Sequence, residues 1–171
     1  LKLSYLLVNN LLTKEDLTIL FKKLNFIHNS KILKDHNKIN IYDNYSKKFN
    51  TRTKKLEKYK KKYLNKVSEY LKNYENFNKG KIGVIHGDPV LSNIIKKNNN
   101  DLIFIDPRGS LGKNFTIFGD INYDFAKIYQ SLTGYENIIL EKKIDQNYLN
   151  DLKSHFENLI INKNQIDNVE T

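Results

Sequence analysis

Apolar residues recur along this chain at two spacings, and the spacings divide it into elements. Leu17, Leu20, Phe21, Leu24 and Ile27 advance by three and four residues, the stripe of an amphipathic helix. Thr13 stands where it can cap that helix, Asp16 falls in its acidic first turn, and Ile27-His28 ends it. A longer stripe of Leu56, Tyr59, Tyr63, Val67, Tyr70 and Tyr74, widened by Leu64 and Leu71, predicts a helix from Thr53 to about Tyr74. Its tyrosines are expected on the buried face. Tyr123, Phe125, Ala126, Ile128, Tyr129 and Leu132 predict a third helix, preceded by Asp120 or Asn122 and ended by Gly134. Tyr148, Leu149, Leu152, Phe156 and Leu159 form the inner face of a last helix over about 147–161, and the final ten residues are expected to fray.

Shorter apolar runs read differently. Leu1–Val8 reads as a strand or buried segment that ends at Asn9-Asn10. Ile94-Ile95 and Leu102–Ile105 are short, rich in β-branched or aromatic residues, and separated by an Asn-Asn-Asn-Asp turn. With Asn98–Asp101 as the turn, 97 pairs with 102, 96 with 103, 95 with 104 and 94 with 105. One further step sets Asn93 opposite Asp106, with Cβ atoms roughly 4.5–5.5 Å apart. An amide oxygen and a carboxylate at that separation can share a metal ion. Asp88 lies five residues before Asn93, on the loop that feeds the hairpin. Ser30–Thr51 is polar and irregular, Phe77–Gly80 breaks the preceding helix, and Gly109–Gly119 is a loop with three glycines. The fold class that follows is α+β, mainly helical around one short hairpin, with no internal repeat.

His86-Gly87-Asp88-x-x-x-x-Asn93, followed by Ile105-Asp106 and by Gly119-Asp120-x-x-Tyr123-Asp124-Phe125-Ala126, resembles the catalytic core of the aminoglycoside phosphotransferase and choline kinase-like enzymes. The resemblance implies a protein-kinase-like C-terminal lobe over residues 11–171, with a helical insert around 30–76. Residues 1–10 would then be the end of an N-terminal lobe and the hinge. It also implies transfer of the γ-phosphate of ATP or GTP to a hydroxyl of a sugar, amino alcohol or related compound. By motif position Asp88 orients the acceptor hydroxyl and takes its proton, while His86 braces the loop through hydrogen bonds. Asn93 and Asp106 would hold Mg²⁺ with hard oxygen ligands. Val8, Asn9 and Asn10 would offer backbone groups to the nucleotide base, or form an ordinary first strand and turn; Arg108 would neutralise phosphate, pair with Asp88, or make a purely structural ion pair. Asp120 and Asp124 are read as structural, with a capping role open to an Asp near a helix start. Pro107-Arg108 departs from the Phe-Gly of protein kinases at these positions. The set H-G-D-P-x-x-x-N, I-D-x-R-G and G-D-x-x-Y-D also resembles phosphotransferase-like proteins of bacterial surface-polysaccharide synthesis.

Composition narrows the alternatives. The 171 residues suit one domain, perhaps with a small appendage, and 39% hydrophobic content with 11 Tyr and 9 Phe supplies a core. The absence of Cys excludes disulfides and Cys-ligated zinc. No apolar run approaches the roughly 20 residues of a membrane span, and the start has no signal-peptide pattern, so a cytoplasmic setting is expected. The chain begins at Leu1 and contains no Met, which reads as a fragment or processed piece, and no Gly-rich phosphate loop or strand Lys precedes Asp88. The partner expected on that reading is the N-terminal lobe of the same protein. Of the net charge of +10, the stretch from Lys47 to Lys66 carries +9, with ten Lys or Arg against Glu57. It reads first as a solvated helix face, with attraction of an anionic substrate or surface as the alternative, and with the tyrosines buried no specific nucleic-acid partner is expected. His28 lacks a partner at metal spacing and reads as structural. The rival function is a catalytically inactive, kinase-like binding module.

Overall fold

The computed structural model describes residues 1–31, 39–98 and 101–169, with the side chains of 56–60 and 164–169 excepted. In chain order the elements are α1 (Leu3–Val8), α2 (Lys14–His28), α3 (Ser46–Thr53), α4 (Glu57–Asn76), β1 (Ile82–Val84), β2 (Ile94–Lys96), β3 (Leu102–Phe104), β4 (Ser110–Leu111), β5 (Asn114–Phe115), β6 (Phe118–Asp120), α5 (Ile121–Leu132), α6 (Tyr135–Ile139) and α7 (Gln146–Val169). Single 3-10 turns lie at Lys54–Leu56 and Leu91–Asn93. The strands form three antiparallel two-stranded ribbons, β1 with β6, β2 with β3, and β4 with β5. The class is α+β, with more helix than strand. Among the described residues no helix is long and apolar enough to cross a membrane. The chain divides into two compact units, one of residues 1–27, 88–107 and 124–171, the other of 28–87 and 108–123.

The first unit holds one apolar cluster that takes Leu17, Leu20, Phe21 and Leu24 from α2, Phe125, Ile128 and Leu132 from α5, and Leu149, Leu152 and Phe156 from α7. Phe21, Phe125 and Phe156 meet with ring centroids 5.6–6.4 Å apart. Each side chain so buried contributes about 1.5–3 kcal/mol over its exposed state. The helix stop at Gly134 is as expected, with φ +90 in the left-handed region that glycine reaches without strain. The last helix continues to Val169, past the fraying expected from residue 162. Lys163 ties that extension to α2 by donating to Asn25 Oδ1 at 2.6 Å. Residues 170–171 lie outside the described set.

Three expectations in this unit need correction. Of the two readings of the first residues, the buried segment holds and the strand does not: Leu3–Val8 is helical, with Leu3, Ser4, Leu6 and Leu7 buried and Tyr5 exposed. That is a spacing of three and four, not alternation. Lys2 is extended and bridges to Ile95 of β2, while Leu1 exchanges backbone hydrogen bonds with Lys96. The β2–β3 hairpin exists, but its register is one residue tighter than expected, with Ile94 opposite Phe104, Ile95 opposite Ile103 and Lys96 opposite Leu102. The Lys97 N–H donates to Asp101 O at 2.8 Å, so Asp101 belongs to the strand end rather than the turn. Residues 99 and 100 of the expected turn lie outside the described residues. A slip of one residue changes every cross-strand pair. Asn93 therefore faces Ile105, whose N–H it accepts at 3.0 Å, and not Asp106.

The start of α2 is a reciprocal cap. Thr13 Oγ1 accepts the Asp16 N–H at 3.2 Å, and Asp16 Oδ2 accepts the Thr13 N–H at 3.1 Å and its hydroxyl at 3.0 Å. Asp16 is buried and pairs with Lys96 of β2 at 2.6 Å, so the cap also fastens the hairpin. Thr13→Ala is expected to cost about 1 kcal/mol, measured as the shift in urea midpoint. A variant indistinguishable from the parent would show that the Asp16–Lys96 pair alone fixes this helix end.

In the second unit β1 runs antiparallel to β6, with Ile82 opposite Asp120 and Val84 opposite Phe118. The segment expected to be irregular contains α3, whose first N–H, of Ser46, donates to Glu75 Oε1 of α4 at 2.7 Å. That cap comes from a residue 29 positions away, so no local pattern announces it. Residues 32–38 of the same expected excursion lie outside the described residues. The long helix starts at Glu57 after a 3-10 turn, not at Thr53; of its tyrosine stripe Tyr74 is half-buried, whereas Tyr63 and Tyr70 are not buried. Tyr63 is 71% and Tyr70 67% exposed, whereas Leu64, Ser68 and Leu71 on the adjoining flank are half-buried. The side chains of Leu56, Lys58 and Tyr59 lie outside the described residues. Burial of Tyr63 and Tyr70, which weighed against a nucleic-acid face, is therefore not found.

Candidate functional site

The segment from Asp88 to Asp106 is built within the first unit. Asp88 closes a tight turn by accepting the Val90 N–H at 2.9 Å, and Leu91–Asn93 then makes one 3-10 turn that ends as β2 begins. The Asn93 side chain reaches back and donates from Nδ2 to the Asp88 carbonyl at 3.0 Å. Its Oδ1 is thereby the atom left to ligate a cation. The Asp88 carboxylate is half-buried and pairs with Lys127 of α5 at 2.9 Å. Lys127 also donates to Gln130 Oε1 at 3.2 Å, which fixes its ammonium group between two acceptors.

Asp106 is exposed and has φ +55, in the left-handed region where Asp is among the few tolerated side chains. It stands one residue beyond the Asn93–Ile105 pairing, so the expected direct opposition of Asn93 and Asp106 is not formed. The donor types, one amide oxygen and one carboxylate, are the hard ligands that Mg²⁺ takes. Among the described residues no three His, Cys, Asp or Glu side chains gather to hold a metal.

Asp88 and Lys127 open onto a cavity of about 750 Å³ whose apolar wall includes Tyr5, Val90, Tyr135 and Ile139. Such a volume suits a small organic ligand. Glu136 lines the same cavity at 4% exposure. Its Oε1 accepts the Ser131 hydroxyl, and Ser131 Oγ accepts the Leu91 N–H at 3.2 Å. Glu136 Oε2 is buried with no hydrogen-bond partner among the described residues.

Burial pushes the Glu136 carboxyl above the usual carboxylate range, with the Ser131 hydrogen bond pulling the other way. The folded chain then holds a proton that the unfolded chain has released, so this group removes stability as pH rises above roughly 4.3 towards the raised value. Glu136→Gln is expected to flatten that part of the stability profile, measured as denaturant midpoints of parent and variant between about pH 4 and 7. Parallel profiles for parent and variant would show that Glu136 does not carry the dependence.

Val8 and Asn10 lie at the end of α1, and not in an extended hinge. The Asn10 N–H donates to Leu7 O at 3.1 Å, and Asn10 has φ +57 as the chain turns toward α2. Val8 lines the cavity that Asp88 opens onto.

His86 and Arg108 belong to the second unit. His86 is buried, and its carbonyl accepts the Arg108 N–H at 2.9 Å. Gly87, at φ +81, leaves room for this pairing, since a Cβ there would lie 2.8 Å from Arg108 Cβ. Arg108 donates from Nη1 to Tyr123 OH at 3.0 Å and stacks over that ring, 5.5 Å from its centroid. Asp120 is the polar centre of this unit. Its Oδ1 accepts the N–H groups of Lys81 and Asn122, both at 3.0 Å, and its Oδ2 accepts the hydroxyls of Tyr45 and Tyr74, both at 2.7 Å. Accepting the Asn122 N–H caps α5, as expected for an Asp at that position.

Sequence reasoning missed Lys127 and Glu136. Lys127 had a signal, being the single basic residue of α5 amid the apolar Tyr123, Phe125, Ala126 and Ile128. Glu136 had none, because nothing local marks a carboxylate as buried. Compared with known proteins, the chain matches no family model, no curated sequence and no solved structure.

Proposed function

We propose that this chain carries the acceptor- and metal-handling part of a small-molecule kinase, which moves the γ-phosphate of ATP or GTP to a hydroxyl of a sugar, amino alcohol or related compound. The observation that carries the reading is Asp88, whose carboxylate stands half-buried at a ligand-sized cavity and is held there by Lys127. In the proposed reaction the acceptor oxygen bonds to the γ-phosphorus and the bond from that phosphorus to the β,γ-bridging oxygen breaks. The nucleoside diphosphate leaves, and the acceptor proton passes to the Asp88 carboxylate. Asn93 Oδ1 and the Asp106 carboxylate are the ligands proposed for Mg²⁺, which would neutralise the phosphate oxygens. His86 is proposed to brace the catalytic loop through hydrogen bonds, and Arg108 to meet phosphate. The apolar cavity wall favours an acceptor with a carbon face as well as its hydroxyl. A cytoplasmic setting, where the nucleotide is abundant, goes with the proposal.

A catalytically inactive, kinase-like binding module is the second reading, favoured by the displacement of Asp106 from the position opposite Asn93. The deciding experiment incubates the full-length protein with Mg²⁺ and ATP or GTP against a panel of sugars and amino alcohols, with nucleotide binding followed by calorimetry. Turnover of at least one hydroxyl compound is expected. Nucleotide binding without turnover selects the module, and failure to bind Mg²⁺–nucleotide removes the kinase reading.

A further inference from the structure

The second unit has its own cavity, of about 690 Å³, and its wall is strongly basic. Lys47, Lys48 and Arg52 reach it from α3, and Arg108 and Lys113 from the segment that carries the β4–β5 ribbon. The acid in the wall is Asp43, whose Oδ1 accepts from Asn40 Nδ2 at 3.1 Å. Among the described residues Lys47, Lys48, Arg52 and Lys113 form no ion pair. Five cations against one carboxylate on one concave surface repel one another, and a folded chain keeps such an arrangement most readily where an anion offsets it. Partial burial holds the Lys48 pKa below the ordinary lysine value; Tyr123 pulls it up, and Arg108 and Arg52 push it further down.

We infer that this cavity binds the phosphate group of a phosphorylated small molecule. The formal excess of cations suits a dianion better than a single carboxylate. The Arg52 guanidinium can meet two phosphate oxygens at once, Arg108 adds its charge from its seat on Tyr123, and the ammonium groups serve as point charges. Thr51, Ser110 and Asn114 in the same wall add neutral polar groups for the remaining oxygens or the attached carbon skeleton. A nucleotide and a phosphorylated acceptor present the same phosphate chemistry to this wall. The site lies wholly within the second unit and stands whether or not Asp88 performs the proposed reaction.

The test is calorimetric titration of the full-length protein with pyrophosphate, glucose 1-phosphate, glucose and ATP. Pyrophosphate is expected to bind saturably with an affinity that falls as salt is added, and glucose is expected not to bind. Arg52→Ala and Lys113→Ala remove exposed side chains outside the apolar core, and each is expected to weaken pyrophosphate by about tenfold. Lys62→Ala, on the exposed surface of α4, is expected to leave it unchanged. Displacement of glucose 1-phosphate by ATP assigns the site to the nucleotide's phosphates, and simultaneous binding of both assigns it to a phosphorylated second ligand. Absence of saturable pyrophosphate binding overturns the inference, as does equal affinity in parent, Arg52→Ala and Lys113→Ala. Random duplex DNA that binds more tightly than any phosphate probe, and is weakened as much by Lys62→Ala as by Arg52→Ala, replaces the cavity with an extended basic helix face.

Discussion

Asp88→Asn is expected to lower phosphoryl transfer by about 10²–10⁴-fold while Mg²⁺–nucleotide affinity stays close to that of the parent. The substitution preserves shape and removes one negative charge. The backbone carbonyl of residue 88 still accepts from Asn93, so the turn into β2 is retained. What is lost is the anionic oxygen that pairs with Lys127 and, in the proposed reaction, orients and deprotonates the acceptor hydroxyl. A loose transition state makes orientation the larger share of that loss. Asp106→Asn should behave in the opposite way, weakening Mg²⁺–nucleotide binding because the anionic member of the proposed metal pair is gone. Nucleotide affinity by calorimetry, set beside turnover at saturating nucleotide, separates the two variants. Equal loss of affinity in both, with turnover at saturation unchanged, would refute this division of labour.

The elements that were legible in the sequence are those whose cause is local. α2 carries its apolar stripe, its Thr13–Asp16 cap and its end at His28 within sixteen residues, and the chain folds there as the pattern requires. The β2–β3 hairpin was legible as an element but not in register. Asn-rich turns of three and four residues look alike in sequence, and one residue decides which side chain faces Asn93. Leu1–Val8 is ambiguous between a strand and a buried helix because Leu3 and Leu7 satisfy both a period of two and a helical period. Leu6 is buried and Tyr5 is exposed, and that pair decides for the helix.

Tyrosine obscures the α4 face in a similar way, since it has an apolar ring and a polar tip and suits either environment. The basic stretch illustrates the limit most directly. Lys47, Lys48 and Arg52 read as part of one charged run, yet they converge with Arg108 and Lys113, which lie more than fifty residues further along. Linear charge patterning carries no information about that convergence.

Asp120→Ala is expected to cost about 3–5 kcal/mol of stability, because four donors lose their acceptor at once and an unsatisfied buried donor costs about 1–3 kcal/mol. The four are the N–H groups of Lys81 and Asn122 and the hydroxyls of Tyr45 and Tyr74. Tyrosine hydroxyls can turn to other acceptors or to water, so the full sum is not reached. The two backbone donors cannot turn. Asp120→Asn should be milder, at about 1–2 kcal/mol, since its amide oxygen can still receive the backbone pair while its NH₂ faces hydroxyls able to accept.

Alkaline pH provides a second readout. Burial raises the Tyr45 pKa far above its ordinary value, and the Asp120 charge and hydrogen bond add to the shift. The folded chain thus keeps that phenolic proton where the unfolded chain loses it, so stability falls as pH rises above roughly 10. In Asp120→Ala the burial contribution persists and both contributions of the carboxylate vanish. The alkaline loss should begin at the same pH and level off earlier, as followed by tyrosinate absorbance alongside denaturant midpoints. If Asp120→Ala melts with the parent and its tyrosines ionise as before, Asp120 neither caps α5 to any effect nor holds the tyrosines. If Ala and Asn are equally damaging, the negative charge itself holds the unit together, and the backbone donors are secondary.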